Sequence, residues 1–246
     1  MINSIILCEG STDFALLQYY MRKVNCWEDT KAQHNVIKFD SQKSRLFVKE
    51  NKQLTIASMG GCSRIEASVG IVLERNFNTS PRQEDAYHNI VILTDRDEAC
   101  TEAEIIASVG RALDKYEVEF TNLCCNRWVD CHMISNIGAN VVFRILLLVI
   151  PFTTEGAIET FLLEAIADKD EYDKQIINQT NSFVEQIDEE RRYLNARRTI
   201  TKAKFDVYFS IRTPVEQFGE RQKILINVPW EDYPKIQRDF RLLGDL

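Results

Sequence analysis

The chain has 246 residues, 45% of them hydrophobic, and a formal net charge of -7. That length and apolar content fill one large core, or one core with a smaller addition. The acidic balance excludes a surface that holds nucleic acid by bulk charge alone, so such contact requires local basic patches or bound cations.

The longest apolar run, "VVFRILLLVIPF", is broken by Arg144 and is shorter than the roughly 18 to 20 residues that span a bilayer. The first apolar stretch runs straight into Glu9 with no basic region before it and no small-residue cleavage site after it. A cytoplasmic protein without membrane contact is expected. Seven cysteines are scattered along the chain, and without a secretory signal reduced thiols are expected. Their tightest cluster, Cys124, Cys125 and Cys131 beside His132, lacks the paired C-x2-C spacing of a zinc site, so buried structural thiols are the expectation there.

In chain order, "SIILC" reads as a buried strand, and "TDFALLQYYMRKV" places Phe14, Leu17, Tyr20 and Met21 on one helical stripe. "QLTIASMGG" reads as a strand followed by a glycine turn, and "SRIEASVGIVLERNF" as a helix with Ile65, Val69, Val72 and Leu73 inward. "HNIVILTDRDEA" is the clearest strand of all. The next segment, "TEAEIIASVGRALDKY", opens with a threonine cap and an acidic first turn before its apolar stripe. "VVFRILLLVIPF" predicts a further central strand ending at Pro151, and "TEGAIETFLLEAI" the helix after it.

Strands that are continuous apolar runs, each followed by a helix, indicate an α/β fold with a mostly parallel central sheet flanked by helices. Beyond about residue 170 the sequence turns charged and helical, with no strand candidate until Ile224. Residues 1–170 are read as the α/β domain and 171–246 as a helical extension, with a soft boundary because no linker composition separates them.

Functional residues in open α/β sheets gather at the carboxyl ends of the strands. Glu9, in "ILCEGSTD", stands at such an end, with Asp13 four residues on; Asp95 and Asp97, in "VILTDRDEA", stand at another. If these strands are neighbours, three or four carboxylates converge, and their repulsion calls for a cation. Hard oxygen donors of this kind suit Mg²⁺ or Mn²⁺. Each piece alone also reads as an ordinary turn or solvated loop; it is their order along the chain that is specific.

"ILCEGSTD" followed by "VILTDRDEA" resembles the TOPRIM module shared by topoisomerases, bacterial primases and the overcoming-lysogenization-defect (OLD) family nucleases, the nuclease branch above all. The resemblance implies a Rossmann-like TOPRIM domain, an endonuclease that hydrolyses phosphodiester bonds in DNA or RNA, tRNA among the possible targets, and Mg²⁺ or Mn²⁺, two ions by preference. It implies that Glu9, Asp13, Asp95 and Asp97 hold the metal and serve catalysis, with Glu159 or Glu155 completing the shell and Lys204 or Lys202 meeting the phosphate. The long interval between Glu9 and Asp95 implies an insertion at about residues 28–53. No G-x-x-x-x-G-K-[ST] loop occurs in the chain, so the resemblance implies a stand-alone effector of a two-gene antiphage system whose ABC-type ATPase partner is encoded nearby.

The run "RRYLNARRTITKAK" opposes the overall acidity. Helical spacing would set Arg191, Asn195 and Arg198 on one face, with Arg197 and Lys204 on another; Arg197, Arg198, Lys202 and Lys204 are the candidate nucleic-acid contacts. The helices after residue 170 are the expected docking or homo-oligomer surface. The competing expectation is a non-catalytic Mg-binding regulatory α/β module that acts through protein contacts. A hydrolase built on a histidine is not expected, since His34, His88 and His132 lie in no triad-like setting.

Overall fold

In the computed structural model of the protein, residues 1–30, 37, 43–213 and 225–246 are described. The chain divides into two compact units. The first comprises Met1–Thr94, Ala99–Val149 and Leu242–Leu246; the second comprises Asp95–Glu98 and Ile150–Arg241. Residue 170, where the sequence suggests a soft boundary, is the junction between two helices that both lie in the second unit.

The first unit is an α/β layer structure. Its strands are β1 (Ile2–Cys8), β2 (Glu28–Asp29), β3 (Ser44–Lys49), β4 (Lys52–Ser58), β5 (Tyr87–Asp95), β6 (Glu119–Phe120), β7 (Trp128–Ile134) and β8 (Asn140–Ile150). They form one sheet in the order β2-β3-β4-β1-β5-β8-β7-β6. The centre is parallel: β1 pairs with β4 on one side and β5 on the other, with Cys8 opposite Ser58 and Leu93. The margins are antiparallel, β2 with β3, β3 with β4, β6 with β7 and β7 with β8. The parallel strands are buried over most of their length; from Asn3 to Cys8 every β1 residue is buried, as expected of strands that face protein on both sides.

Helices α1 (Ser11–Lys23), α2 (Ile65–Phe77) and α3 (Thr101–Lys115) belong to this unit. Phe14, Leu17, Tyr20 and Met21 of α1 are buried, and so are Ile65, Val69, Val72 and Leu73 of α2. The helix ends obey the macrodipole, with Asp13 in the first turn of α1 and Arg22 and Lys23 in its last. The expected threonine cap of α3 is corrected: Cys100 occupies the N-cap without a side-chain hydrogen bond, and Thr101 is the first helical residue. The acidic first turn, Glu102 and Glu104, supplies the favourable charge there.

The 28–53 segment contains β2 and β3, which extend the sheet antiparallel from β4; its residues 31–36 and 38–42 lie outside the described set, as does Ile224. In "WVDCHMI", β7 buries Val129, Cys131 and Met133 on alternate positions. The thiols of "CCNRWVDCH" are thus of two kinds: Cys131 is buried in the sheet, whereas Cys124 and Cys125 are partly exposed. His132 faces Glu119 across the β6–β7 pair at 3.3 Å.

The second unit is helical. It contains α4 (Ile158–Lys169), α5 (Glu171–Ile187), α6 (Arg197–Arg212) and α7 (Pro234–Asp239). Phe161 of α4 stacks on Phe240 with ring centroids 5.5 Å apart, and Phe205, Tyr208 and Phe209 of α6 are buried. Arg212 ties the unit together: its guanidinium donates to Asp173 at 3.2 Å, Tyr208 at 2.8 Å and Tyr233 at 3.0 Å. Burial raises the Tyr208 hydroxyl well above the ordinary phenol range, so it remains a neutral partner in this network.

Candidate functional site

In the first unit, β1 delivers Glu9 just past its carboxyl end. The backbone of Glu9 is held by the turn that leaves β4, because its carbonyl accepts hydrogen bonds from Gly60 N at 3.0 Å, Gly61 N at 3.1 Å and Ser58 Oγ at 3.3 Å. The turn needs glycine: Gly60 and Gly61 have φ of 86° and 121°, which side chains beyond hydrogen disfavour. The Glu9 carboxylate accepts a hydrogen bond from the Thr94 hydroxyl through Oε1. Thr94 is buried, next to last in β5.

Asp13 takes a different part. Its Oδ2 accepts the backbone N–H of Gly10 at 2.8 Å, closing the first turn of α1. The carboxylate is buried, and this oxygen serves the helix start. The thiol of Cys8 beside it is raised well above its ordinary value by burial, and further by the charges of Asp13 and Glu9.

In the second unit, the three residues of "DRD" do three separate things. Asp95, the last residue of β5, accepts the N–H of Ile158 at 2.9 Å and so caps α4, whose N-cap Ala157 has no side-chain acceptor of its own. Arg96 clamps the segment after β8, donating from N to the Ile150 carbonyl at 2.6 Å, from Nε to that of Pro151 at 2.7 Å and from Nη2 to that of Phe152 at 3.0 Å. Asp97 pairs with Arg197, Oδ1 to Nη2 at 2.8 Å, and the same guanidinium lies 3.5 Å from Glu155. Arg197 therefore gathers two of the predicted carboxylates on one cation. Glu159 is 2% exposed in the first turn of α4, so it is not a solvated first-turn charge.

The basic run is arranged differently from its helical expectation. Asp188 accepts the N–H groups of Arg192 at 3.0 Å, Tyr193 at 2.8 Å and Leu194 at 2.7 Å. That turn, with Arg191 at φ 50°, ends the helical path, and α6 begins only at Arg197. Arg191 and Asn195 consequently lie in the loop and share no helical face with Arg198. Arg197 and Lys204 are both on α6, where Lys204 pairs with Glu185 of α5 at 2.5 Å, Lys202 is half-buried and Arg198 is exposed.

Glu9 and Asp13 in the first unit, and Asp95, Asp97, Glu155 and Glu159 in the second, offer carboxylate oxygens only, a donor chemistry that fits Mg²⁺ or Mn²⁺ and not a soft metal. Among the described residues, no three His, Cys, Asp or Glu side chains stand together in a metal-holding group. Thr94 and the Ser58–Gly61 turn escape a reading that looks for charge, and Arg96 escapes one that looks for carboxylates. Their signals are faint but present: a threonine directly before D-x-D, an arginine inside it, and paired glycines after the second parallel strand.

A family model described as "Protein of unknown function (DUF3226)" matches residues 3–224. Among solved structures, that of a hypothetical protein from Pyrococcus horikoshii OT3 is similar at 16% identity and a TM-score of 0.48, over 99% of this chain and 100% of that one. No curated protein matches.

Proposed function

The chain belongs to the DUF3226 family, and we propose from its own residues that it is a metal-dependent TOPRIM-type endonuclease of the OLD nuclease kind. The observation that carries the reading is the placement of Glu9. β1 and β5 are parallel neighbours, with Cys8 opposite Leu93, and β1 runs into Glu9 at the carboxyl edge of the sheet. Strand ends of this sort are where α/β proteins keep their chemistry.

Glu9 and Asp13 are proposed to hold or position one Mg²⁺ or Mn²⁺ ion, and Asp95 and Asp97, with Glu159 or Glu155, a second. Asp13 steadies the loop between Glu9 and α1. Bound there, a divalent pair would supply stabilisation of the attacking and leaving oxygens of an in-line displacement. In the reaction, a water oxygen attacks phosphorus, the bond to the leaving oxygen breaks, and the water proton passes to the departing side. Lys204 or Lys202 meets the charge that develops on the phosphate. Lys204 reaches it by exchanging Glu185 for the phosphate, and Arg197 and Arg198 follow the backbone of the nucleic acid. A restraining ABC-type ATPase partner and a cytoplasmic site of action complete the proposal, with helices α5 and α6 as the docking or homo-oligomer surface.

One observation favours a second reading. Asp13 serves a helix start, Asp95 caps α4, and Asp97 and Glu155 face Arg197, all of which a non-catalytic regulatory module would also need. Incubating the full chain with Mn²⁺ and either plasmid DNA or total RNA separates the two. New ends that appear with Mn²⁺ and vanish in EDTA support the nuclease; intact substrate in both, at every metal concentration, supports the regulatory module.

A further inference from the structure

Glu9 is held at both of its ends by the two strands that flank β1. From the end of β4 and the turn after it come the Ser58 hydroxyl, the Gly60 N–H and the Gly61 N–H, all onto its carbonyl. From β5 comes the Thr94 hydroxyl, onto its carboxylate. The first contact fixes where the residue leaves the sheet, and the second fixes the direction in which its carboxylate points. Thr94 suits the task because it is itself immobile: it is 1% exposed, lies within β5, and as a β-branched residue has few rotamers to choose from. One carboxylate oxygen is taken by this contact, which sets the orientation of the other.

We propose that Thr94 is a positioning residue for the Glu9 carboxylate, acting with the Ser58–Gly61 turn to present one oxygen in a fixed direction. This rests on the reading of Glu9 as a metal-holding residue of the nuclease. The hydroxyl donates to the carboxylate and excludes rotamers in which both oxygens turn away; groups that orient a ligating carboxylate in this way are worth about 10- to 100-fold in metal affinity or activity. A threonine directly after the apolar run Ile90–Leu93 of β5 is thereby accounted for.

The test compares the parent with Thr94→Val, which keeps the shape and removes the hydroxyl, and Thr94→Ser, which keeps the hydroxyl. Thr94→Ala serves as a second hydroxyl-free variant should valine prevent folding. Three readouts are taken on the full chain: Mn²⁺ affinity by electron paramagnetic resonance, kcat and KM for cleavage, and the side-chain carboxyl ¹³C resonance of Glu9. The proposal expects Thr94→Val to lose about 10- to 100-fold in Mn²⁺ affinity or kcat with KM unchanged, to move the Glu9 resonance, and to be restored by Thr94→Ser. A Thr94→Val or Thr94→Ala protein with the parent's resonance, affinity and rate overturns it, as does a loss that serine fails to restore, which would reflect packing of the methyl group. Glu9→Gln separates the two layers. If that variant binds Mn²⁺ and cleaves like the parent, the reading of Glu9 falls and the positioning role falls with it; if it is inactive while Thr94→Val is parent-like, the positioning role alone falls.

Discussion

Asp188 shows how much one carboxylate can organise. The hydrogen bonds from Leu194, Tyr193 and Arg192 hold its pKa below the usual aspartate value. A depressed folded-state value means that the stabilisation is fully present above the unfolded value of about 3.9 and is lost as pH falls through the lower folded value. Amide exchange at Tyr193 and Leu194 should therefore accelerate selectively in that acidic window. Protection at both amides that persists unchanged to the most acidic folded condition would contradict the assignment.

The cysteines offer a second residue-scale prediction. Cys8 and Cys131 are buried, the latter with its thiol pushed up to about 12 by burial and by Asp130. Cys26, Cys62 and Cys100 are exposed. Under native conditions at mildly alkaline pH a thiol reagent should label those three fast, and Cys8 and Cys131 only on unfolding, since the thiolate is the reactive species. Rapid native labelling of Cys8 would show that the end of β1 opens far more than its packing implies.

Gly156 precedes α4, and its prediction follows from space alone. A Cβ there would stand 2.7 Å from the Thr160 Cβ, an atom fixed to the helix backbone with no flexible end to yield. Gly156→Ala should destabilise the protein by about 1 to 3 kcal/mol in a urea titration, the usual range for forced overpacking. A midpoint equal to the parent's would mean that the turn relaxes freely.

At the scale of elements, α4 depends on both its buried face and its borrowed cap. Phe161 is fully buried against Phe240, and Phe161→Ala should cost about 3 to 5 kcal/mol. Thermal and urea unfolding measure this directly; a loss below 1 kcal/mol would show that the aromatic pair is not part of the stabilising core. The cap is a longer-range matter. Asp95 is 63 positions from Ile158, so its capping role cannot be read from helix-start patterns, which look for an acceptor immediately before the first turn. The first three strand-helix units were legible because β1, β4 and β5 are nearly continuous apolar runs and α1, α2 and α3 carry clear stripes. Strand β7 escapes the same reading because it alternates: Asp130 and His132 separate the buried Val129, Cys131 and Met133, and the cysteines draw attention to thiol chemistry. The loop at Arg191 escapes because its cause is a single side chain accepting three successive N–H groups.

For the molecule as a whole, the sequence made visible which residues carry charge at strand ends, and the structure adds what holds each of them. Glu9 was legible from an apolar strand that stops at a carboxylate, but Thr94 was not, since a buried hydroxyl in a strand carries no periodic signal. Asp97 and Arg197 were each legible as charged, yet their pairing joins residues 100 positions apart, and only the fold brings them together. The central claim is that Glu9 serves metal-dependent phosphodiester cleavage. The most direct test is cleavage of nucleic acid in Mn²⁺ by parent and Glu9→Gln protein, purified side by side and matched in melting temperature. The account predicts cleavage by the parent, none by Glu9→Gln, and no difference between them in fold; equal cleavage by both would contradict it.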